Sequence, residues 1–303
     1  MQKSSSVLLL LGTLLISMAL GIGISLLIAH FFELTPLVND INQQFPPKEV
    51  EHWYLSMLVQ GLGHAFTFLI PAIVFWRIFE NKTRKGFSRL QLSRVSSAWI
   101  TIVVAFALIS VNHQIIDWNQ NIQLPDAFKA VEDWMRAKEQ EKISLTQGLL
   151  QMESRSKLLV AMLVFGIIGP VGEEVFFRGV LQTKLNDWGL TPVKSIWVAA
   201  TVFSLIHFQF YGFFPRLLLG ALFGYLFLWS GNIWMPILAH VINNSFFVLT
   251  AFTKQKWPSS YKNLEVITDS SMSFIISFAL SVILLYHFRK QNLSQAKHSG
   301  TTD

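Results

Sequence analysis

Apolar residues fall in long blocks along this chain, over 7–32, 53–79, 98–118, 158–181, 193–211, 217–229, 233–252 and 272–288. A helix needs about 20 apolar residues to cross a bilayer. Most of these blocks meet that length; the sixth is short and is separated from the seventh only by Ser230-Gly231-Asn232. In hydrocarbon every backbone N–H and C=O must find a partner within the segment, which leaves helices as the form for such runs. The pattern therefore predicts an all-α, polytopic membrane helix bundle with about eight transmembrane helices. The first block is longer than the core of about 7–15 residues that marks a cleaved secretory signal, so it is expected to be a retained span.

The polar stretches between blocks set the organisation. Residues 119–156 carry nearly balanced charge, with Phe128, Val131, Trp134 and Met135 at roughly helical spacing. That segment is expected to form a helix at the outer membrane interface. The last dozen residues are expected to be a disordered polar tail. Three regions follow: an N-terminal transmembrane region with the interfacial helix (1–156), a core (157–252), and a C-terminal helix with its tail (253–303). No internal repeat is visible.

Composition sharpens this picture. The chain has 303 residues, 52% hydrophobic and 14% charged, against about 25% charged in soluble proteins. It has no cysteine, which excludes disulfides and thiolate chemistry. The net charge of +6 reads as membrane topology. Basic residues lie in loops and tails, and no basic stripe with interleaved aromatics points to nucleic acid. Lys82, Arg84, Lys85, Arg89 and Arg94 follow the second block, with Arg77 just before them. The first connection is acidic, with Glu33, Asp40, Glu49 and Glu51 against Lys48. The positive-inside rule puts 80–97 in the cytoplasm. Eight spans then place both termini there, as Lys3, Arg289, Lys290 and Lys297 also indicate.

The chemistry concentrates in the fourth to seventh blocks. Glu173 and Glu174 are adjacent, and from Leu158 to Thr250 the only other acidic residue is Asp187. An ionised carboxylate at the bilayer centre costs roughly 3 kcal/mol or more, so two of them demand a use. Glu174 and Arg178 are four apart and can share a helix face. His207 lies in the fifth block, and His240 and Asn244, again four apart, lie in the seventh. Gly220-Ala-Leu-Phe-Gly224 in the sixth is a small-xxx-small face that permits close helix approach. At ~1.5 Å per residue, the assigned orientation puts these groups within ~20 Å of the cytoplasmic face. A carboxylate beside a histidine can deprotonate a water, and a second histidine with an amide can stabilise an oxyanion. Glu, His and His can alternatively hold a divalent metal such as zinc, which would activate the water.

Glu-Glu-x-x-x-Arg, Phe-x-x-x-His and His-x-x-x-Asn, in this order on successive membrane helices, resemble the CAAX protease and bacteriocin-processing (CPBP, or Abi) family of intramembrane proteases. The resemblance covers roughly residues 157–250. It implies that Glu173 activates water with His207, that His240 and Asn244 stabilise the oxyanion, and that Glu174 and Arg178 support them. It implies a metalloprotease-type name, with Glu173, His207 and His240 as the candidate metal ligands. It also implies a substrate that is a membrane-associated peptide or protein, in the inner membrane of a bacterium.

Rival readings attach to the same residues. Glu174 and Arg178 can be a structural pair, and His240 and Asn244 can be interhelical hydrogen-bond glue. His64 and His113 match no motif and are expected to be core histidines. Phe208, Phe210, Tyr211, Phe213 and Phe214 are expected to form an aromatic interface belt. No His-Glu-x-x-His zinc helix, rhomboid-type Gly-x-Ser-Gly or intramembrane aspartate pair is present. A non-enzymatic transporter or partner-binding immunity protein would use the same pocket to bind ligand. Gly169-Pro170 could break a helix, and that keeps the transporter as the rival to a single span over 158–181.

Overall fold

A computed structural model describes residues 3–31, 53–79 and 95–298. The charged connections used to set orientation, from Glu33 to Glu51 and from Lys82 to Arg94, lie outside the described residues, as do His52 and residues 299–303. Every element among the described residues is a helix. In chain order these are α1 (Lys3–Phe31), α2 (Trp53–Phe79), α3 (Val95–Gln120), α4 (Lys129–Leu149), α5 (Arg155–Asp187), α6 (Pro192–Leu205), α7 (Phe213–Ser230), α8 (Trp234–Lys256), α9 (Pro258–Asp269) and α10 (Ser271–His298). Seven of them, α1, α2, α3, α5, α7, α8 and α10, are long and apolar enough to cross a membrane, and α6 is a shorter apolar helix. The protein is a polytopic helical bundle and a multi-pass membrane protein.

Two elements depart from the sequence expectations. The fifth block, expected over 193–211, is helical only to Leu205. Its 14 residues span ~21 Å against a hydrocarbon core of ~30 Å. The helix ends as His207 N–H bonds the Ser204 carbonyl and Phe208 N–H the Leu205 carbonyl, a tightened last turn. Phe208 then turns left-handed at φ 50°. Phe208, Phe210 and Tyr211 count as apolar in a hydropathy profile, yet they belong to the turn. The belt expected there is also mixed, because Phe208 and Phe214 are exposed while Tyr211 is buried.

The polar tail is the second departure, since α10 stays helical through His298. Its residues Arg289 to Lys297 are mostly good helix formers. Buried Asn292 ties the extension to α3, accepting a hydrogen bond from Ser97 Oγ at 3.3 Å and donating to the Phe288 carbonyl at 2.7 Å. At Gly169-Pro170 α5 does not break, in keeping with the single span expected over 158–181. It runs on for 33 residues by alternating α-helical turns with π-helical ones over Met162–Ile168 and Val175–Gln182. Pro170 opens the α-helical turn Gly169–Glu174, an early-turn position where a missing N–H is best tolerated. π turns re-phase the residues that follow them and recur at functional sites.

Contacts group the chain into two compact units. The first comprises Met1–Lys82, Gln123–Phe176 and Asn244–Pro258. Its core joins Trp53, Met57, Leu150, Met152, Ala161, Val164, Val248 and Phe252. Polar ties close it: Trp53 Nε1 donates to the Leu149 carbonyl at 2.9 Å, and Gln255 Nε2 to the Leu150 carbonyl at 2.7 Å. The second comprises Thr83–Ile122, Phe177–Asn243 and Ser259–Asp303, with a core of Ala105, Phe223, Leu226, Met235, Ala239 and Phe288. Here the small-residue face of α7 does pack closely. A Cβ on Gly224 would lie 2.8 Å from Ile196 Cγ2, and one on Gly220 would lie 3.2 Å from Ala200 Cβ.

The helix expected within 119–156 is α4, and it buries two of its carboxylates while exposing apolar side chains beside charged ones. Glu132 and Glu139 are buried, while Phe128, just before the helix, Val131 and Trp134 are exposed. Arg136 Nε donates to Glu132 at 2.7 Å and the Leu124 N–H at 3.0 Å. The Arg136 hydrogen bond, then the Leu124 one, hold the Glu132 carboxyl below the usual carboxylate range.

Candidate active site

The first unit holds Glu173, Glu174 and Asn244. Both glutamates sit on the single α-helical turn of α5 between its π segments, and both are buried. α5 lies against α2 here, so that a Cβ on Gly172 would be in ordinary contact at 3.5 Å from Leu69 Cβ and Phe68 Cβ. That approach delivers His64, at the end of the first α-helical segment of α2. His64 Nδ1 stands 3.6 Å from Glu173 Oε1. The sequence reading set His64 aside as a core histidine, but the structure places it beside the foremost candidate carboxylate. Nothing local to His64 announces this, because the contact joins residues far apart in sequence; the available signal was a second intramembrane histidine with no assigned partner. His113, the other histidine set aside, is exposed rather than in the core. Asn244 Nδ2 donates to the Phe165 carbonyl at 3.2 Å. That carbonyl belongs to the π segment Met162–Ile168.

The second unit holds Arg178, His207 and His240, gathered on Phe203 and Phe223. Arg178 is fully buried, donates from Nη2 to the Gly220 carbonyl at 2.8 Å, and stands over the rings of Phe203 at 5.0 Å and Phe223 at 5.5 Å. A guanidinium over ring faces gains cation–π attraction that grows as water is excluded. His240 stacks on Phe223 with centroids 4.8 Å apart and meets Phe203 edge-on at 6.0 Å. His207 lies in the turn after α6 rather than inside a span. Its Nδ1 is 2.7 Å from the Phe203 carbonyl. A carbonyl only accepts, so Nδ1 carries the proton and Nε2 is the acceptor of the neutral ring. Two further bonds hold this turn: Ser204 Oγ donates to the Phe213 carbonyl at 2.7 Å, and Asn119 Nδ2 donates to the Tyr211 carbonyl. Asn119, Ser204 and the ring of Phe223 belong to the site's framework and carry no motif that sequence reasoning could have used.

Metal binding is a separate test of the same side chains. Among the described residues no group of three or more His, Asp or Glu side chains is gathered as a metal would require. His207 commits Nδ1 to a carbonyl, and His240 lies against aromatic rings. Of the candidate ligands, Glu173 belongs to the first unit and His207 and His240 to the second, and no step is assigned to a metal.

Fold and side chains together define a multi-pass membrane helix bundle with buried carboxylate, guanidinium, imidazole and amide groups. Residues 155–246 match the family model described as Type II CAAX prenyl endopeptidase Rce1-like. That segment contains all three motifs, so the resemblance read from them is shown over this part of the chain. Two Bacillus subtilis (strain 168) proteins are similar. One is "Putative membrane peptidase YdiL", 29% identical over 108 residues, 34% of this chain and 41% of that protein. The other is "Uncharacterized protein YpbD", 32% identical over 79 residues, 25% of this chain and 37% of that protein. The chain thus spans about two fifths of the length of the curated relatives it matches. No solved structure matches.

Proposed function

We propose that this protein is an intramembrane endopeptidase of CPBP type that hydrolyses peptide bonds with a water activated by Glu173 and His207. The observation that carries the reading is the buried Glu173-Glu174 pair inside the segment that matches the Rce1-like endopeptidase family. A relative named as a membrane peptidase over part of the same chain supports it.

In the proposed reaction Glu173 takes a proton from water as its oxygen attacks the scissile carbonyl carbon. His207 accepts a hydrogen bond from that water at Nε2, the ring atom that its Nδ1 contact with Phe203 leaves as the acceptor. His240 and Asn244 donate to the oxyanion of the tetrahedral intermediate. Glu173 then passes the proton to the leaving amine as the C–N bond breaks. Glu174 and Arg178 support the carboxylate and shape the pocket. The substrate is a peptide or protein tail presented at the membrane, reached from the cytosolic half of the bilayer, with the protein in a cell inner membrane and both termini cytoplasmic. Continuity of α5 through Gly169-Pro170 supports the peptidase reading over a transporter built on a broken helix.

The test is cleavage of membrane peptides by protein purified in detergent. General acid–base groups contribute about 10²–10⁴-fold, so Glu173→Gln and His207→Ala are each expected to lower turnover by at least about 100-fold. Turnover equal to the parent in both variants refutes the assignment.

A further inference from the structure

We infer that His64 is a positioning residue for Glu173, holding the carboxylate in the orientation from which it meets the water. The inference rests on the peptidase reading above and adds a residue that lies outside the family-matched segment 155–246.

The geometry carries it within the first unit. His64 Nδ1 is 3.6 Å from Glu173 Oε1, with 28% of the His64 side chain and 7% of the Glu173 side chain exposed. A polar group that faces a carboxylate this buried limits the orientations it can take, because interactions strengthen where water is excluded. The ring is seated rather than loose. Gly169, one helical turn before Glu173, has no side chain, and a Cβ there would lie 3.8 Å from both His64 Cε1 and His64 Nδ1. The imidazole thus lies over the α5 backbone at Gly169. Phe68, one turn further along α2, has its ring centroid 6.1 Å from that of His64. With the ring so placed, Nδ1 is the nitrogen turned to the carboxylate. The present distance is longer than a hydrogen bond, as catalytic contacts often are before substrate binds. The neighbouring π turn Ala65–Leu69 is a local irregularity of the kind that lets a helix adjust.

This arrangement makes a prediction that depends on which nitrogen faces Glu173. An asparagine amide nitrogen falls near the position of Nδ1, whereas a glutamine amide nitrogen falls near that of Nε2. Partners of this orienting kind are worth about 10–100-fold when removed. His64→Leu is therefore expected to lower kcat by about 10-fold or more with KM little changed. His64→Asn is expected to recover most of the loss, and His64→Gln to recover little. Thermal unfolding in the same detergent shows whether each variant is folded.

Glu173→Gln in the same assay separates this inference from its parent. If Glu173→Gln stays fully active, the peptidase reading fails and the His64 role fails with it. If Glu173→Gln is inactive and folded His64→Leu keeps the parental kcat, the His64 inference alone is overturned. Equal losses in His64→Asn, His64→Gln and His64→Leu that track a common drop in melting temperature also overturn it, because that pattern reports packing rather than orientation.

Discussion

Phe203 is the side chain on which the second unit's candidate residues converge, and its removal gives a sharp test of how the site is held. The ring is almost fully buried. It lies 5.0 Å from the Arg178 guanidinium carbon, 5.1 Å from the His207 ring, 6.0 Å from the His240 ring and 5.2 Å from the Phe177 ring. Phe203→Ala removes a buried aromatic and leaves a cavity, at a cost of about 3–5 kcal/mol. Phe203→Leu keeps most of the apolar volume and loses the ring face; a desolvated cation–π contact is worth about 2 kcal/mol. Leucine is therefore expected to fall well short of the alanine loss while still being measurable. A double-mutant cycle with Arg178→Met isolates the ring–guanidinium term, and residues in contact couple by about 0.5–3 kcal/mol. The assay is equilibrium unfolding in detergent with peptide cleavage measured in parallel. A Phe203→Ala loss below about 1 kcal/mol, or a cycle that closes with no coupling, refutes the view that this ring organises the cluster.

Two further outcomes follow from packing and charge. Gly224→Ala would place its Cβ 2.8 Å from Ile196 Cγ2 and 2.9 Å from Gln182 Oε1, so overpacking is expected to destabilise by about 1–3 kcal/mol. Gly23→Ala, where nothing lies within 4 Å, is expected to be neutral or stabilising; a thermal shift of the same size in both variants counts against close α6–α7 packing. The Glu132 carboxyl is held below its ordinary range by Arg136 and then the Leu124 N–H. Its contribution to holding the start of α4 is thus present above the ordinary carboxylate pKa and is lost as pH falls through the lower folded value. Hydrogen exchange in α4 is expected to quicken over that acidic window in the parent and to change little there in Glu132→Gln. An unchanged profile in both contradicts the assigned pairing.

The legibility of the site in the sequence divides along physical lines. The His-x-x-x-Asn motif gave its own spacing, because residues four apart on one α-helix are neighbours whatever the rest of the fold does. Phe203 entered only as a letter in Phe-x-x-x-His, and its contacts with Arg178, His207 and His240 required three other stretches of chain to be brought in. The end of α6 at Leu205 was hidden because the aromatic side chains of Phe208, Phe210 and Tyr211 carry the apolar pattern past the end of the helix. The burial of Glu132 and Glu139 in α4 was hidden because spacing shows that Phe128, Val131 and Trp134 share a side but not which charged residues the fold covers.

By itself the sequence determined that this is a helical membrane protein, and it singled out Glu173, Glu174, Arg178, His207, His240 and Asn244 as candidates for its chemistry. Both follow from local quantities: the length of apolar runs against the bilayer's thickness, and the cost of charge within them. Only the tertiary structure decided that His64 faces Glu173, that Phe203 underlies Arg178, His207 and His240, and that α5 passes unbroken through Gly169-Pro170. Those outcomes depend on how glycines let backbones approach and how π turns re-phase a helix. Such contacts join residues distant in the chain, and a one-dimensional pattern carries no record of them.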